Sequence, residues 1–369
     1  MTQAPRYTPL AASLPSSVPF VAPEMTERAT GRKFSARLGA NESSFGPAPS
    51  VKSAIANAAQ DVFKYADPQY HDLKQALSKL HDVPMENLIV GEGIDGLLGY
   101  LCRLMIGQGD VAVTSMGAYP TFNFHVVGFG GVIETVPYVN DHEDPDNLIA
   151  RARETDAKLI YIANPDNPMG THHDAARIQH MIDNVPPSCL LILDEAYIEC
   201  APEDVAPAFD IQDKNVIRFR TFSKAYGLAG ARVGYGIAHA DLITSFDKIR
   251  NHFGVSVISQ QAALAAVNDQ EYLYKIQSTV AQGRERIAQI ASENGLTCLP
   301  SATNFVAMDC GGGGDFSRAV LAALIDMGIF VRMPFVAPQD RCIRISVGIP
   351  ADIEKFATAL PKALKAARG

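Results

Sequence analysis

A lone lysine, Lys224, lies in the stretch TFSKAYGLAGAR (221–232), between Ser223 and Arg232 and close to Gly227 and Gly230. An amine that can lose its proton attacks carbonyl carbon, and a hydroxyl beside a guanidinium makes a place for an anion. The preceding run NVIRF (215–219) is strand-like, which would set the lysine on a turn at a strand's C-terminal end, where open α/β sheets hold ligands. On this stretch alone, a solvated lysine in a glycine-containing loop reads equally well. Two upstream residues extend the chemistry. Asp194 ends the apolar run CLLILD (189–194) and is followed by Glu195, Ala196 and Tyr197; a carboxylate so placed is partly desolvated and calls for a positive partner such as a protonated ring nitrogen. Asn167, in NPDNPMG (164–170), has a proline on either side of it within two residues, so a stiff loop would aim its amide at a fixed acceptor. The turn GEGIDG (91–96) opens an apolar helix and would offer backbone amides and a positive helix end to a phosphate. Together these residues describe a site for a flat, anionic, electrophilic cofactor.

The elements needed to position them follow from periodicity. Short β-rich runs at 87–91, 110–114, 131–136, 158–162, 189–194, 215–219 and 231–238 are separated by helical patterns at 50–61, 71–81, 93–105, 120–129, 145–153 and 174–184. Such alternation implies an α/β fold with a mainly parallel sheet covered on both faces. One large domain is expected over 46–275. A smaller α+β domain is expected over 276–369, with strands at 303–308, 328–332 and 342–348, joined by the segment 1–45. Residues 1–24 contain Pro5, Pro9, Pro15, Pro19 and Pro23 without a sustained period and read as an extended arm. The run CGGGGD (310–315) reads as a flexible surface turn, and 256–293 as one long helical pattern.

Composition narrows the function classes. The 369 residues carry a formal net charge of −8, which argues against general binding to nucleic acid or to anionic membrane, so any anion must be held locally. No apolar run approaches the roughly 18 residues of a spanning helix. The six cysteines show no CxxC spacing, and a reduced cytoplasm is the simplest setting. His172, His173 and His180 lack an acid set at ligand spacing, so no metal is expected.

The motifs GEGIDG, PTFNF (120–124), NPDNPMG, DEAY (194–197), TFSKAYGLAGAR and CIRISVG (342–348), in that order, resemble those of the fold-type I, class I/II pyridoxal-phosphate aminotransferases. ANESSFGP (40–47), YADP (65–68) and GIFVR (328–332) are similar to segments of the histidinol-phosphate aminotransferase branch. The resemblance covers nearly the whole chain and implies the fold-type I architecture. It also implies that Lys224 carries pyridoxal 5'-phosphate covalently and moves the substrate's Cα proton, while Asp194 keeps the pyridine nitrogen protonated. By the same resemblance Asn167 and Tyr197 hold the ring's phenolic oxygen and Phe122 stacks on the ring. The phosphate falls to the amides of Ile94 and Asp95 with Ser223 and Arg232, and Tyr65 reaches it from the other subunit of a homodimer.

Arg344 is implied as the clamp on a substrate carboxylate or phosphate, and Asn41 as a further substrate-side residue. Arg332, twelve positions earlier, reads either as a second anion contact or as a surface salt bridge. Ile94 and Gly96 stand where the family tends to have a small or hydroxyl residue and an acid, and Phe20 stands where the branch tends to have a substrate-reading tyrosine. The implied reaction moves an amino group from histidinol phosphate, or a related amine, to 2-oxoglutarate in two half-reactions. An aromatic amino acid aminotransferase and a decarboxylase of a phosphorylated amino acid are the alternatives.

Overall fold

The apolar runs pair into strands because each can bury both of its faces. In the computed structural model, which describes residues 6–16 and 22–369, the strands are β1 (Ala36–Arg37), β2 (Leu88–Gly91), β3 (Val111–Ser115), β4 (Val132–Val136), β5 (Leu159–Ala163), β6 (Leu190–Asp194), β7 (Val216–Thr221), β8 (Gly234–Ala238), β9 (Thr297–Cys298), β10 (Phe305–Asp309), β11 (Ile329–Phe330) and β12 (Cys342–Ser346). A seven-stranded sheet has the order β2-β8-β7-β6-β5-β3-β4. Pairing is parallel from β7 through β4, and β8 runs antiparallel between β7 and β2.

Alternate residues of the central strands enter two separate cores. Leu190 and Ile192 pack with Tyr161, Phe219, Leu97 and Phe122, whereas Leu191 and Leu193 pack with Ile160, Leu148, Ile178 and Met181. Each such side chain withdrawn from water contributes about 1.5–3 kcal/mol. Asp194, two residues beyond Ile192 in β6, therefore emerges on the face covered by helix Gly93–Met105. That helix begins where β2 ends, so its N-terminus and the ends of β5, β6 and β7 meet on one side of the sheet.

The C-terminal part adds a three-stranded antiparallel sheet, β12-β10-β9, and a parallel β1–β11 pair that ties residues 36–37 to 329–330. Helix Gln270–Glu293 runs across position 275, so the large and small parts share a continuous rod there.

Three expectations change. The arm expected to be extended contains a helix, Pro9–Ser13, capped by the Thr8 hydroxyl, and helix Pro23–Thr30 begins within its last residues. The pattern over 256–293 is two helices, Val257–Asn268 and Gln270–Glu293, because Asp269 breaks the first and accepts from Tyr272 N at 3.1 Å to cap the second. The glycine run is not merely a surface turn. Helix Gly313–Asp326 starts inside it, and a Cβ on Gly314 would collide with the Asp340 carboxylate.

Candidate active site

Lys224 follows β7 by three residues, on a turn that Gly227 closes at φ +72°; a Cβ on Gly227 would lie 2.6 Å from the Gly46 carbonyl carbon. The close approach brings the loop before helix Pro49–Ala58 against the lysine turn. The Lys224 amine donates to the Asn41 carbonyl at 3.3 Å and lies 5.4 Å from the centre of the Tyr197 ring. Burial first, and then the Arg344 charge, lower its pKa to about 8, so a substantial fraction of the amine is free base just above neutrality.

Asn41 is the hub on the small-domain side. Its backbone is left-handed, with φ 55°. Its amide nitrogen Nδ2 donates to the Tyr197 hydroxyl at 3.1 Å, its backbone N–H donates to Ser346 Oγ at 3.0 Å, and Ser346 Oγ donates to its Oδ1 at 2.9 Å. Asn304 Nδ2 donates to the same carbonyl that receives Lys224, at 3.0 Å. Asn41 thus joins β12 to the turn after β6, and burial raises the Tyr197 hydroxyl's pKa above its ordinary value.

Asp194 is buried, accepting from Tyr161 Oη at 2.7 Å and from the backbone N–H of Ala196 at 2.9 Å. Burial raises its pKa to about 6 despite those two donors and the Lys224 charge, and no ion pair to it exists among the described residues. Glu195 faces the other way, into a buried cluster: Arg218 Nε donates to it at 2.9 Å and Arg220 Nε at 2.8 Å. Adjacent carboxylates in one motif have therefore been separated into a site group and a scaffold group.

The residues expected to hold an anion meet at the start of helix Gly93–Met105. Gly93 has φ +78°, and a Cβ there would lie 2.6 Å from Arg232 Nη2, so only glycine lets the guanidinium cover the helix end. Arg232 also donates to Ser223 Oγ at 3.4 Å and stands 3.9 Å from Asp95 Oδ2. Ser223 Oγ accepts from Thr221 Oγ1 at 2.9 Å. Ile94 buries its side chain in the core, which leaves its backbone N–H in the first turn as its polar contribution.

Arg332 and Arg344 pair directly across an antiparallel bridge, each N–H bonded to the other's carbonyl, and directly opposed residues project to the same side. Arg344 is buried; its Nη1 donates to Asn167 Oδ1 at 2.6 Å, and its Nε is enclosed without an acceptor. Burial lowers the Arg344 pKa to about 10 and moves that of Arg332 the same way. Asn167 thereby links the 164–170 loop to the arginine pair.

One sequence expectation is corrected. Phe122 is fully buried and stacked on Tyr161, with ring centres 4.9 Å apart and planes 13° from parallel, so no ligand ring can lie on it from the site. An aromatic that does line the site, besides Tyr197, is Tyr119, half-buried, which donates to Asp95 Oδ1 at 3.3 Å and acts electrostatically on both Arg332 and Arg344. Tyr161 and Tyr119 were missed; an aromatic in the strand beside Asp194 and one preceding Pro120 were the available signals. Tyr65 is 85% exposed and its ring lies tilted against Phe253, with centres 4.8 Å apart. Phe20 lies outside the described residues. Among the described residues no group of His, Cys, Asp and Glu is arranged to hold a metal, and no helix is long and apolar enough to cross a membrane.

A lysine poised to bond a carbonyl, between an anion cup and an arginine pair on the strand ends of an α/β/α sheet, defines the class of enzymes that process amines on a lysine-bound cofactor. Comparison with known proteins makes the assignment specific. The sequence model of the family described as aminotransferase class I and II matches residues 36–360, and the chain belongs to that family. A histidinol-phosphate aminotransferase of Carboxydothermus hydrogenoformans is 32% identical over 93% of this chain and 94% of its own length, and one from Jannaschia sp. is 34% identical over 88% and 90%. The crystal structure of histidinol-phosphate aminotransferase from Sinorhizobium meliloti in complex with pyridoxal-5'-phosphate is 52% identical, covers 99% of both chains and superposes with a TM-score of 0.96. A single mutant of Thermus thermophilus aspartate aminotransferase, 20% identical over 98% of this chain and 100% of its own with a TM-score of 0.82, shares the fold. The chain is thus a transaminase of the histidinol-phosphate aminotransferase branch.

Proposed function

We propose that this transaminase takes its amino group from histidinol phosphate and passes it to 2-oxoglutarate, in two half-reactions on pyridoxal 5'-phosphate. The observation that carries the choice of donor is the Arg332–Arg344 pair, two partly or fully buried guanidiniums projecting to one side, with the Arg344 charge acting on Lys224. A phosphate dianion can bond to both, and a carboxylate of the acceptor takes its place in the second half-reaction. The names of the relatives point the same way.

The residues fit the cofactor. Asp194 is a buried carboxylate with no ion pair among the described residues, suited to a protonated ring nitrogen; the Gly93–Arg232 cradle with Ser223 suits a phosphate; Asn167 is bonded to Arg344 and Tyr197 to Asn41 on the substrate side. When bound, the cofactor supplies an electron sink for the bond broken at the substrate's Cα.

What the chain supplies is positioning and proton movement. Arg344, with Arg332, seats the substrate's anion. Lys224, freed by the incoming amine and with its pKa lowered to about 8, would take the Cα proton and deliver it to the cofactor carbon on the far side of the nitrogen. Asp194 holds a negative charge in a site that excludes water, which keeps the nitrogen opposite it protonated. Asn41 and Tyr197 keep the lysine turn and β12 in register while the lysine changes partners.

Tyr65 would complete the phosphate cup of a second subunit in a homodimer. Supporting this, Val62, Phe63, Tyr65 and Phe253 are all at least 49% exposed, an apolar surface that association would cover.

The test is a single half-reaction. The enzyme is mixed with one donor at a time, histidinol phosphate, phenylalanine, tyrosine or glutamate, with no acceptor present. Release of one equivalent of oxo product per site, fastest from histidinol phosphate, is the expected result. A faster burst from an aromatic amino acid, or release of carbon dioxide, would replace the proposed substrate.

A further inference from the structure

Behind the Asn167 loop lie two carboxyls that the reaction does not use. Asp166 and Glu143 are both buried, 2% exposed each. The Asp166 carboxyl accepts from Tyr138 Oη at 2.8 Å and from Met169 N–H at 2.9 Å. Glu143 Oε1 accepts from Ala163 N–H at 2.9 Å, while its Oε2 is enclosed beside the Ser115 hydroxyl and the Asp166 carboxyl without a well-aligned hydrogen bond. No lysine or arginine pairs with either carboxyl among the described ion pairs, and each acts on the other's ionisation.

The surroundings are mostly unfavourable to charge. Glu143 feels Asp166 and Asp194, with the Tyr161 and Tyr138 hydroxyls near it and the His173 ring bonded to its backbone carbonyl. Asp166 feels Arg344 as a stabilising charge at longer range. Two desolvated carboxyls without a bound cation cannot both ionise at neutral pH. A proton on Glu143 also gives its Oε2 a hydrogen to donate. Burial accordingly raises both pKa values.

We propose that Glu143 and Asp166 form a proton-holding pair that positions the Asn167 loop and couples the seating of a substrate anion on Arg344 to uptake of a proton. The proposal rests on the reading of Arg344 as the anion clamp. Before substrate arrives, the Arg344 charge favours an ionised Asp166. An anion on the guanidinium cancels that field, and the pair then holds its proton more tightly. The proton comes from solvent and returns there when the anion leaves, so no covalent bond changes. By linkage, a shift of one unit in the pair's pKa makes anion binding about tenfold tighter on the acid side of its titration than on the alkaline side. Asp166 is a positioning residue here. It sits next to Asn167, and its backbone and carboxylate close the loop through Gly170, Thr171 and Met169.

The experiment uses the holoenzyme and succinate, a dicarboxylate that cannot transaminate. Calorimetric titration at pH 6.5, 7.5 and 8.5, in buffers of different ionisation enthalpy, reads affinity and protons together. Wild-type enzyme should take up a fraction of a proton and bind more weakly as pH rises. Glu143→Gln keeps the shape and removes one of the two titrating carboxyls while Asp166 stays buried, so it should shift the size and the pH midpoint of that uptake. Asp166→Asn removes the carboxyl that feels Arg344 directly; it should lose most of the uptake and flatten the affinity profile, while binding succinate more tightly at pH 8.5. Contributions from Lys224 and the cofactor are common to all three proteins. Uptake unchanged in both variants overturns the pair and leaves the clamp standing, provided Arg344→Gln abolishes succinate binding. Succinate binding that survives Arg344→Gln overturns the clamp and the coupling together.

Discussion

The anion cup depends on a hydrogen atom at Gly93, and replacing it tests the cup directly. A Cβ introduced by Gly93→Ala would lie 2.6 Å from Arg232 Nη2 and 3.2 Å from its Cζ. Ordinary contact is about 3.5 Å, so the guanidinium must retreat by roughly 1 Å from the helix end. Two effects separate. The backbone at φ +78° costs a residue with a Cβ about 1–2 kcal/mol in the free and bound protein alike, a loss of only a few degrees in Tm for a chain of this length. The retreat is felt only when a phosphate is present. Weakening one charge-assisted hydrogen bond worth about 1.5–3 kcal/mol lowers cofactor affinity by about 10–100-fold. Cofactor-stripped protein is titrated with pyridoxal phosphate by its visible absorbance, and separately with unphosphorylated pyridoxal. The phosphate ester should bind that much more weakly and pyridoxal nearly as before. Gly128→Ala, where nothing lies within 4 Å of the added carbon, should change neither. If Gly93→Ala binds the ester as wild type does while losing stability, Arg232 is not a phosphate ligand and the cup as described is wrong.

Other consequences follow from the buried charges and the exposed patch. In cofactor-free protein Asp194 titrates at about 6, above its value when unfolded, so its contribution to stability is present at acid pH and declines as pH rises from about 4 through 6. Asp194→Asn should remove that decline, visible as a higher urea midpoint at pH 7.5 for the stripped protein, while the assembled enzyme loses most of its turnover. Glu195 behaves oppositely. Arg220 and Arg218 hold its pKa below the carboxylate norm against the opposing pull of burial, so its stabilisation is present above about pH 4 and lost below. Glu195→Gln removes the carboxylate bonded to both guanidiniums, leaving Arg220 only the field of Glu199, and should cost about 3–5 kcal/mol in denaturant unfolding at pH 7; a cost under about 1 kcal/mol would mean the cluster is solvated. If Tyr65 serves the neighbouring site, mixing Tyr65→Ala with Lys224→Ala chains and allowing exchange should restore up to about a quarter of the intact sites, above either variant alone. No recovery in mixed dimers would place Tyr65 outside the partner's cup.

Much of this was legible along the chain because it is local. A strand buried on both faces must be a continuous apolar run, and LLILD and LIYIA are such runs; a helix that starts at a strand end must have a turn that spares its backbone, and GEGIDG spells one. Lys224, Asp194, Asn167 and Arg232 stood out for the same reason, since each is a polar group fixed at the end of an apolar element. What failed was of another kind. Phe122 and Tyr119 are both aromatic and three residues apart, on either side of a helix start, and periodicity does not say which ring points inward. Phe122 lies in the first turn of helix Thr121–Gly128 and packs down onto Tyr161; Tyr119 precedes the helix and stays at the site.

The amino-acid sequence by itself determined the order of strands and helices, the lysine, its carboxylate and its anion cup, because backbone propensity, apolar periodicity and glycine chemistry act over a few residues. Only the tertiary structure decided which distant groups became neighbours. Asn41 and Lys224 meet across 183 positions, Arg344 and Asn167 across 177, and Arg332 is set beside Arg344 by a bridge between segments twelve residues apart. The same packing buried Glu143 and Asp166 together, with no ion pair to either among the described residues, an arrangement that neither segment discloses alone. A carboxyl's charge depends on the water it has lost, and that is settled by what folds over it.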